Sequence, residues 1–434
     1  MSKIVLWLVR DSCRVADNAA LVRALAEARR TGAIMVAIAC LEPRHWHQSQ
    51  FGLARTGPHW RRFRAESLIE LRQRLESKGG GLWIASGAPA EALKKLPADL
   101  QTVSVVTDFP LAPEEEAENQ ALENAGFTVL AVQTDELFDA AQIVSALEQL
   151  PSSFTKFRKT IEEKVRAVPP EPIDLPAIPS ALTQPWNDPA ELTDALSWPV
   201  NQQTEVRTRG GEAAAADHWR FYLQSGALST YKQTRNAFSG RTHSSHLSAW
   251  LAHGCISPRK IWHDILDYEK SHGANDSTYW LRFELLWREF FRWYARNVGS
   301  RLFRRSGPTR RALDLTVNPE AFDQWCEGVT GTDIVDASMR ELQVTGWMSN
   351  RARQLVASYL IYELNLDWRL GAAWFESQLV DFDVASNWGN WAYIAGVGPD
   401  PRGGRIFNLE AQAERYDPEK TYRDFWMNKA NSSN

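Results

Sequence analysis

The 434-residue chain is poor in cysteine: Cys13, Cys40, Cys255 and Cys326 are scattered, and no C-x-x-C pair occurs. That argues against a disulfide framework and a cysteine zinc site, and for a reducing compartment. A surplus of positive charge is missing too. With 49 Lys and Arg against 53 Asp and Glu, any nucleic-acid contact has to come from a local basic patch. No uninterrupted apolar run approaches membrane-spanning length, and the opening run Ile4 to Val9 stops at Arg10 and Asp11, too short for a complete signal peptide. A cytoplasmic protein with no membrane partner is expected. No G-x-G-x-x-G follows the first apolar run and no Walker phosphate loop occurs, which argues against a nicotinamide-type Rossmann site. Repeats and low-complexity segments are absent. At 44% hydrophobic and 24% charged, what remains is an ordinary globular composition, long enough for two or three domains.

Tryptophan is the exception. Of 19, 13 fall between Trp219 and the C-terminus. A core needs bulk but not indole, which demands an N–H partner when buried, so the second half is expected to use aromatic rings for more than packing.

The chain divides by pattern. Residues 1–135 alternate short β-branched runs (Ile4 to Val9, Ile34 to Cys40, Gly81 to Ala85, Val103 to Thr107, Thr128 to Val132) with helical periods over Ala19 to Arg30, Trp60 to Lys78 and Glu114 to Ala125. This predicts an α/β domain with a doubly wound parallel sheet. Residues 136–211 lose the period and fill with proline, predicting an interdomain connector over the surface, within which the basic, aromatic Ser153 to Lys159 could dock on either side. Residues 212–434 show three-to-four apolar spacing almost throughout and predict an all-α domain.

Three constellations in the helical half carry chemistry. Glu284, Trp287, Arg288 and Phe291 share one helix face, where an acid, an indole and a guanidinium suit a ligand pocket better than a core. The run Arg241 to His246, preceded by Tyr231 to Arg235 and followed by a helix opening at Leu247-Ser248, reads as a capped loop or as a phosphate cradle. His243 and His246 have a spacing a metal could use, but nothing nearby completes a ligand set, so no metal site is expected. From Arg288 to Arg311, eight arginines accompany the single acid Glu289, which predicts a landing site for phosphates. Finally, Gly346 to Gly398 gathers Asn350 and Arg353 three apart on a helix with Asp381, Asp383 and several tryptophans. Buried aspartates need donors or a cation, and Arg353 is the candidate partner of Asp381; an ion pair in a Trp-rich core and a site for a planar ligand both fit.

The run Trp280-Leu-Arg-Phe-Glu-Leu-Leu-Trp-Arg-Glu-Phe-Phe291, with Thr345-Gly-Trp-Met-Ser-Asn-Arg351, Asp367-Trp-Arg369 and Asp381-x-Asp383 followed by Ser386-Asn-Trp-Gly-Asn-Trp391, resembles the photolyase/cryptochrome flavoproteins over essentially the whole chain. Thr155-Lys-Phe-Arg-Lys159, Gln354 and the run Ala395 to Arg402 are most similar to the DASH cryptochromes. The resemblance implies an N-terminal α/β antenna domain and a C-terminal helical domain holding FAD. On it, Tyr231 and Ser244, Ser245, His246, Leu247 and Ser248 would contact the FAD phosphates and ribitol. Arg288, Asn350, Arg353, Asp381, Asp383 and Asn387 would surround its rings. Glu284, Trp287, Asn350, Trp347 and Gln354 would line a pocket for a flipped-out pyrimidine dimer, and Trp391 and Trp368 would pass electrons inward. The implied activity is blue-light-driven electron transfer from reduced FAD that splits cyclobutane pyrimidine dimers, preferably in single-stranded DNA, by a monomer. A photoreceptor that uses the same pocket without repair is the alternative. Two positions depart from the pattern. Leu315 stands where the family's outermost tryptophan is expected, leaving Trp374 or Tyr393 as substitutes. Ala112 stands where an acid often holds a folate antenna, so the resemblance lends only weak support to methenyltetrahydrofolate as a second chromophore.

Overall fold

The computed structural model describes residues 2–147, 149–173, 175, 185–199, 209–400 and 402–429. Strands β1 (Ser2–Leu8), β2 (Ile34–Leu41), β3 (Leu82–Ser86), β4 (Leu100–Asp108) and β5 (Val129–Val132) form one parallel sheet in the order β3-β2-β1-β4-β5. β1 is central and buried on both sides, which is why it reads as a continuous apolar run rather than an alternating one. Ile4, Leu6 and Leu8 pack with Ile38, Trp83 and Leu122 on one face. Val5, Trp7 and Val9 face the other way, into a core continuous with that of the helical half.

Local chemistry starts and stops the crossover helices. The Asn18 side chain accepts a hydrogen bond from the Leu21 N–H to cap Ala19–Thr31, and Gly32 closes that helix in the left-handed region. Pro58–Glu76 and Pro113–Asn124 each begin with proline, whose missing N–H has no partner to lose there. The strand order reverses between β1 and β4, so their carboxyl ends open the crevice where Arg10, Asp11 and Asp108 lie.

The 136–211 stretch differs from its expected irregular course. It carries helices Ala140–Ala146, Phe154–Lys164 and Ala190–Ser197, while 176–184 and 200–208, with Pro176 and Pro179, lie outside the described residues. The prolines do not interrupt these helices because they fall between them, and Pro189 sits at an N-cap. Phe154, Phe157 and Ile161 recur at helical spacing and bury themselves against the long helix Asp276–Val298. The 153–159 segment therefore docks on the helical half.

Asp276–Val298 organises that half. A capping box between Asn275 and Thr278 fixes its start. It packs against Val384–Ile394, where the position of a side chain at Gly389 is taken by the Phe291 ring, 2.3 Å from where a Cβ would stand. Charged contacts join this helix to the α/β half: Glu289 accepts the Leu137 N–H at 2.9 Å, and buried Glu136 pairs with Arg292 and Arg296 at 3.1 and 2.5 Å. Among the described residues no helix is long and apolar enough to cross a membrane.

Candidate functional site

A cavity of about 750 Å³ opens in the helical half. One wall is the Asp276–Val298 helix, presenting Glu284, Trp287, Arg288 and Phe291 as their spacing requires. Opposite stand Trp347, Asn350, Arg353 and Gln354, from the turn before Asn350–Ser358 and that helix's first residues. Asp381, Asp383, Asn387 and Trp391 come from the Val384–Ile394 helix and the turn before it. Tyr231 and Ser244 to Ser248 close the third side. Trp368 is fully buried behind this lining, its indole N–H donating to the Arg305 carbonyl at 3.0 Å.

Arg353 Nη2 donates to Asp381 Oδ2 at 2.8 Å, while its Nε binds the Met348 carbonyl. The other Asp381 oxygen, Oδ1, is buried at the cavity wall without a partner. An unpaired buried acceptor is costly, so a ligand bringing N–H or O–H groups is called for. FAD carries such donors on its ring imide, ribityl chain and ribose, and the residues present fit it.

Asp383 caps its helix through the Ser386 N–H at 2.7 Å, with Arg292 3.7 Å away. The Asn387 amide nitrogen donates to the Ala372 carbonyl, which fixes the side chain's orientation. Arg288 donates to the Asp135 and Leu251 carbonyls at 2.7 and 3.3 Å; burial and neighbouring Arg292 draw its pKa down. Burial also brings His246 down to about 4, so it is neutral at physiological pH; its ring meets the Gly240 carbonyl and leans on Trp347. The helix after it, Ser248–Ala252, is only five residues, so the phosphate-cradle reading rests on loop N–H groups and hydroxyls rather than on a helix dipole.

Glu284 is partly buried. Arg235 approaches its Oε1 at 2.6 Å and the Trp280 indole N–H donates to the same oxygen at 3.1 Å. Burial raises the Glu284 pKa and Arg235 opposes the rise. Sequence reasoning assigned Arg235 no role. Its spacing of four from Tyr231 was the available signal, and both side chains meet here. Trp287 is stacked on one face by Phe154, with centroids 3.7 Å apart and planes 13° from parallel.

The basic run needs correcting. Arg288, Arg292 and Arg296 turn inward, the last two onto Glu136, an acid distant in sequence. Arg304, Arg305, Arg310 and Arg311 remain exposed, and the phosphate-landing reading contracts to them. Among the described residues no cluster of metal-ligating side chains occurs.

Ala112 is buried at the head of Pro113–Asn124 and lines a second, much smaller cavity of about 100 Å³ between the two halves. Burial lifts Asp11 and Glu42 there to about 7, helped by Glu115 and Glu118 respectively. Arg44 and Arg55 bridge Glu118, Glu114 and Glu376 across it. Ala112 brings no carboxylate to this cavity, and its acids Glu114 and Glu118 are already engaged by Arg44 and Arg55, so a folate antenna gains no support here.

The model for the "FAD binding domain of DNA photolyase" matches residues 280–433, and that for "DNA photolyase" matches residues 4–177. Cryptochrome DASH of Gloeobacter violaceus is 41% identical over 98% of this chain and 86% of its own length. The chain belongs to the cryptochrome DASH family. Among solved structures, the Synechocystis sp. PCC6803 cryptochrome superposes with a TM-score of 0.92 at 36% identity, covering 98% of this chain and 89% of that one. A bacterial class III photolyase from Agrobacterium tumefaciens gives 0.80 at 28%, covering 98% and 86%. The doubly wound α/β half, the helical half and FAD as cofactor are thus those of a DASH cryptochrome.

Proposed function

We propose that the protein is a light-driven lyase that splits cyclobutane pyrimidine dimers in DNA, with single strands preferred, and that it acts as a monomer. The observation that carries this reading is a shared cavity: Glu284, Trp287, Trp347, Asn350 and Gln354 line the same space as Tyr231, Ser244 to Ser248, Arg288, Arg353, Asp381, Asp383 and Asn387. When bound, FAD supplies light-driven one-electron chemistry.

The chain's own residues do the rest. Trp287, backed by Phe154, and Trp347 offer flat apolar surfaces to an extruded dimer. Asn350, exposed at the rim, and Gln354 supply amide donors for pyrimidine carbonyls. Glu284 meets a carbonyl that gains negative charge, and its raised pKa favours the protonated form able to donate to it. Arg235, now on Glu284, is released toward the intruding strand's phosphate. Extruding stacked bases costs a few kcal/mol, least where pairing is already absent, which favours single strands. Trp391, at the cavity wall, and Trp368 behind it bring electrons from outside.

Purified, reduced protein under blue light should restore the absorbance of UV-treated oligothymidine, faster in single than in double strands. Bound flavin with no dimer lost from either would replace this reading with that of a blue-light receptor.

A further inference from the structure

The electron route has no aromatic exit at Leu315. That half-buried leucine receives the Arg305 guanidinium on its carbonyl, and Arg305's own carbonyl holds the Trp368 indole. An aliphatic side chain cannot carry a hole. A different indole lies against Trp368: Trp388, edge-to-face at 5.8 Å between centroids. Trp388 is 5% exposed and covered by Phe303 at 5.1 Å. Its N–H donates at 3.2 Å to Glu376 Oε2, whose other oxygen accepts from Arg55 at 2.6 Å. Arg55 continues to Glu114 at 2.7 Å, and the Glu114 side chain is half in solvent.

We infer that Trp388 is the outer electron carrier of this protein and that Glu376 accepts its proton. The inference rests on the Trp391 and Trp368 route above. Trp391 lies on Gly371, one turn along its helix from Trp368, its ring 2.2 Å from where a Cβ would stand. Oxidised flavin under light is the oxidant at the head of the chain. Once Trp368 has lost an electron, one electron passes to it from Trp388. A tryptophan radical cation is a far stronger acid than indole, so the Trp388 N–H bond breaks and the proton moves to Glu376 Oε2. This leaves a neutral Trp388 radical and a protonated Glu376. Burial raises the Glu376 pKa, which favours its holding that proton. Losing the proton traps the hole on Trp388. A soluble thiolate then returns the electron while Glu376 returns the proton, restoring both residues.

The test uses flavin-loaded protein without DNA, so it is independent of the repair reading. Flash absorption spectroscopy separates the protonated radical cation from the neutral radical. Wild type should show a long-lived neutral radical. Trp388→Phe should remove it and lower the yield of flavin reduction. Glu376→Gln keeps an acceptor for the indole but no base, and should leave a radical cation that recombines at least about tenfold faster, equivalent to about 1.4 kcal/mol in barrier. Glu376→Gln leaves every ring in place, so it decides the matter if Trp388→Phe loses flavin. A neutral radical of unchanged lifetime and yield in both variants overturns the inference and moves the exit to Trp325, edge-to-face with Trp391 at 6.2 Å. Photoreduction that survives Trp391→Phe overturns the whole tryptophan route, and this inference with it.

Discussion

Replacing Glu136 by Gln keeps the side chain's shape and removes its charge. In the native protein this carboxylate is buried between the α/β half and the Asp276–Val298 helix, with Arg292 and Arg296 on one of its oxygens. Burial alone would raise its pKa, but the two arginines win and hold it down to about 2, against an ordinary 4.5. A depressed folded-state pKa contributes stability above the unfolded value, and that contribution is lost as pH falls through the folded value. That depression amounts to about 3 kcal/mol near neutral pH, of which about 2 kcal/mol is gone by about pH 3. Glu136→Gln should lose about 3 kcal/mol at neutral pH, since it also strands Arg292 and Arg296 without their anion. The assay is urea denaturation followed by far-UV circular dichroism at several pH values. Other carboxylates titrate in both proteins and cancel in the difference. The wild-type advantage should therefore shrink between about pH 5 and about pH 3. A difference that stays constant across that window would refute the ionic account of this junction, and a difference near zero at neutral pH would refute the magnitude.

Three further outcomes follow from the site. Asp381→Ala removes both the Arg353 partner and the unpaired Oδ1, so the purified protein should lose flavin, with affinity down by at least about tenfold for one charged hydrogen bond; absorbance of the purified protein reads it. Glu284→Gln should slow dimer repair about 10²-fold, the scale for removing one group that stabilises developing charge, while flavin absorption stays intact. Simultaneous loss of flavin would show that Glu284 serves the cofactor instead. Gly389→Ala drives a methyl into the Phe291 ring and should destabilise the helix pair by about 1–3 kcal/mol, seen as a lowered melting temperature.

Much of this architecture was legible because period and burial coincide. β1 reads as an unbroken apolar run because both of its faces are covered, and the helix bearing Glu284, Trp287, Arg288 and Phe291 shows its cavity face at ordinary spacing. What stayed hidden depended on partners distant in sequence. The eight arginines from Arg288 to Arg311 read as unbalanced because the acid that takes Arg292 and Arg296, Glu136, lies more than 150 positions earlier. Local counting could not separate arginines that neutralise a buried carboxylate from those that face solvent. The 136–211 stretch misled for a similar reason: proline density was averaged over a window in which the prolines stand between helices.

The same logic bears on why the site accepts so many charges in a protein of net charge −4. Four partly or fully buried arginines at or behind the cavity wall have oxygen partners: Arg288 main-chain carbonyls, Arg292 Glu136, Arg353 Asp381 and Arg235 Glu284. Of these pairs, Glu136 is shut inside the junction between the halves, whereas Asp381 and Glu284 reach the cavity. Only the latter two can exchange a protein partner for a ligand's without unmaking the fold. Asp381 still has an oxygen to give, and on the proposed reading Glu284 would exchange Arg235 for a substrate carbonyl. On that reading the cofactor side would be completed on binding and the substrate side rearranged. Substitutions at Asp381 should thus be read in flavin retention, and those at Arg235 in the strand dependence of repair.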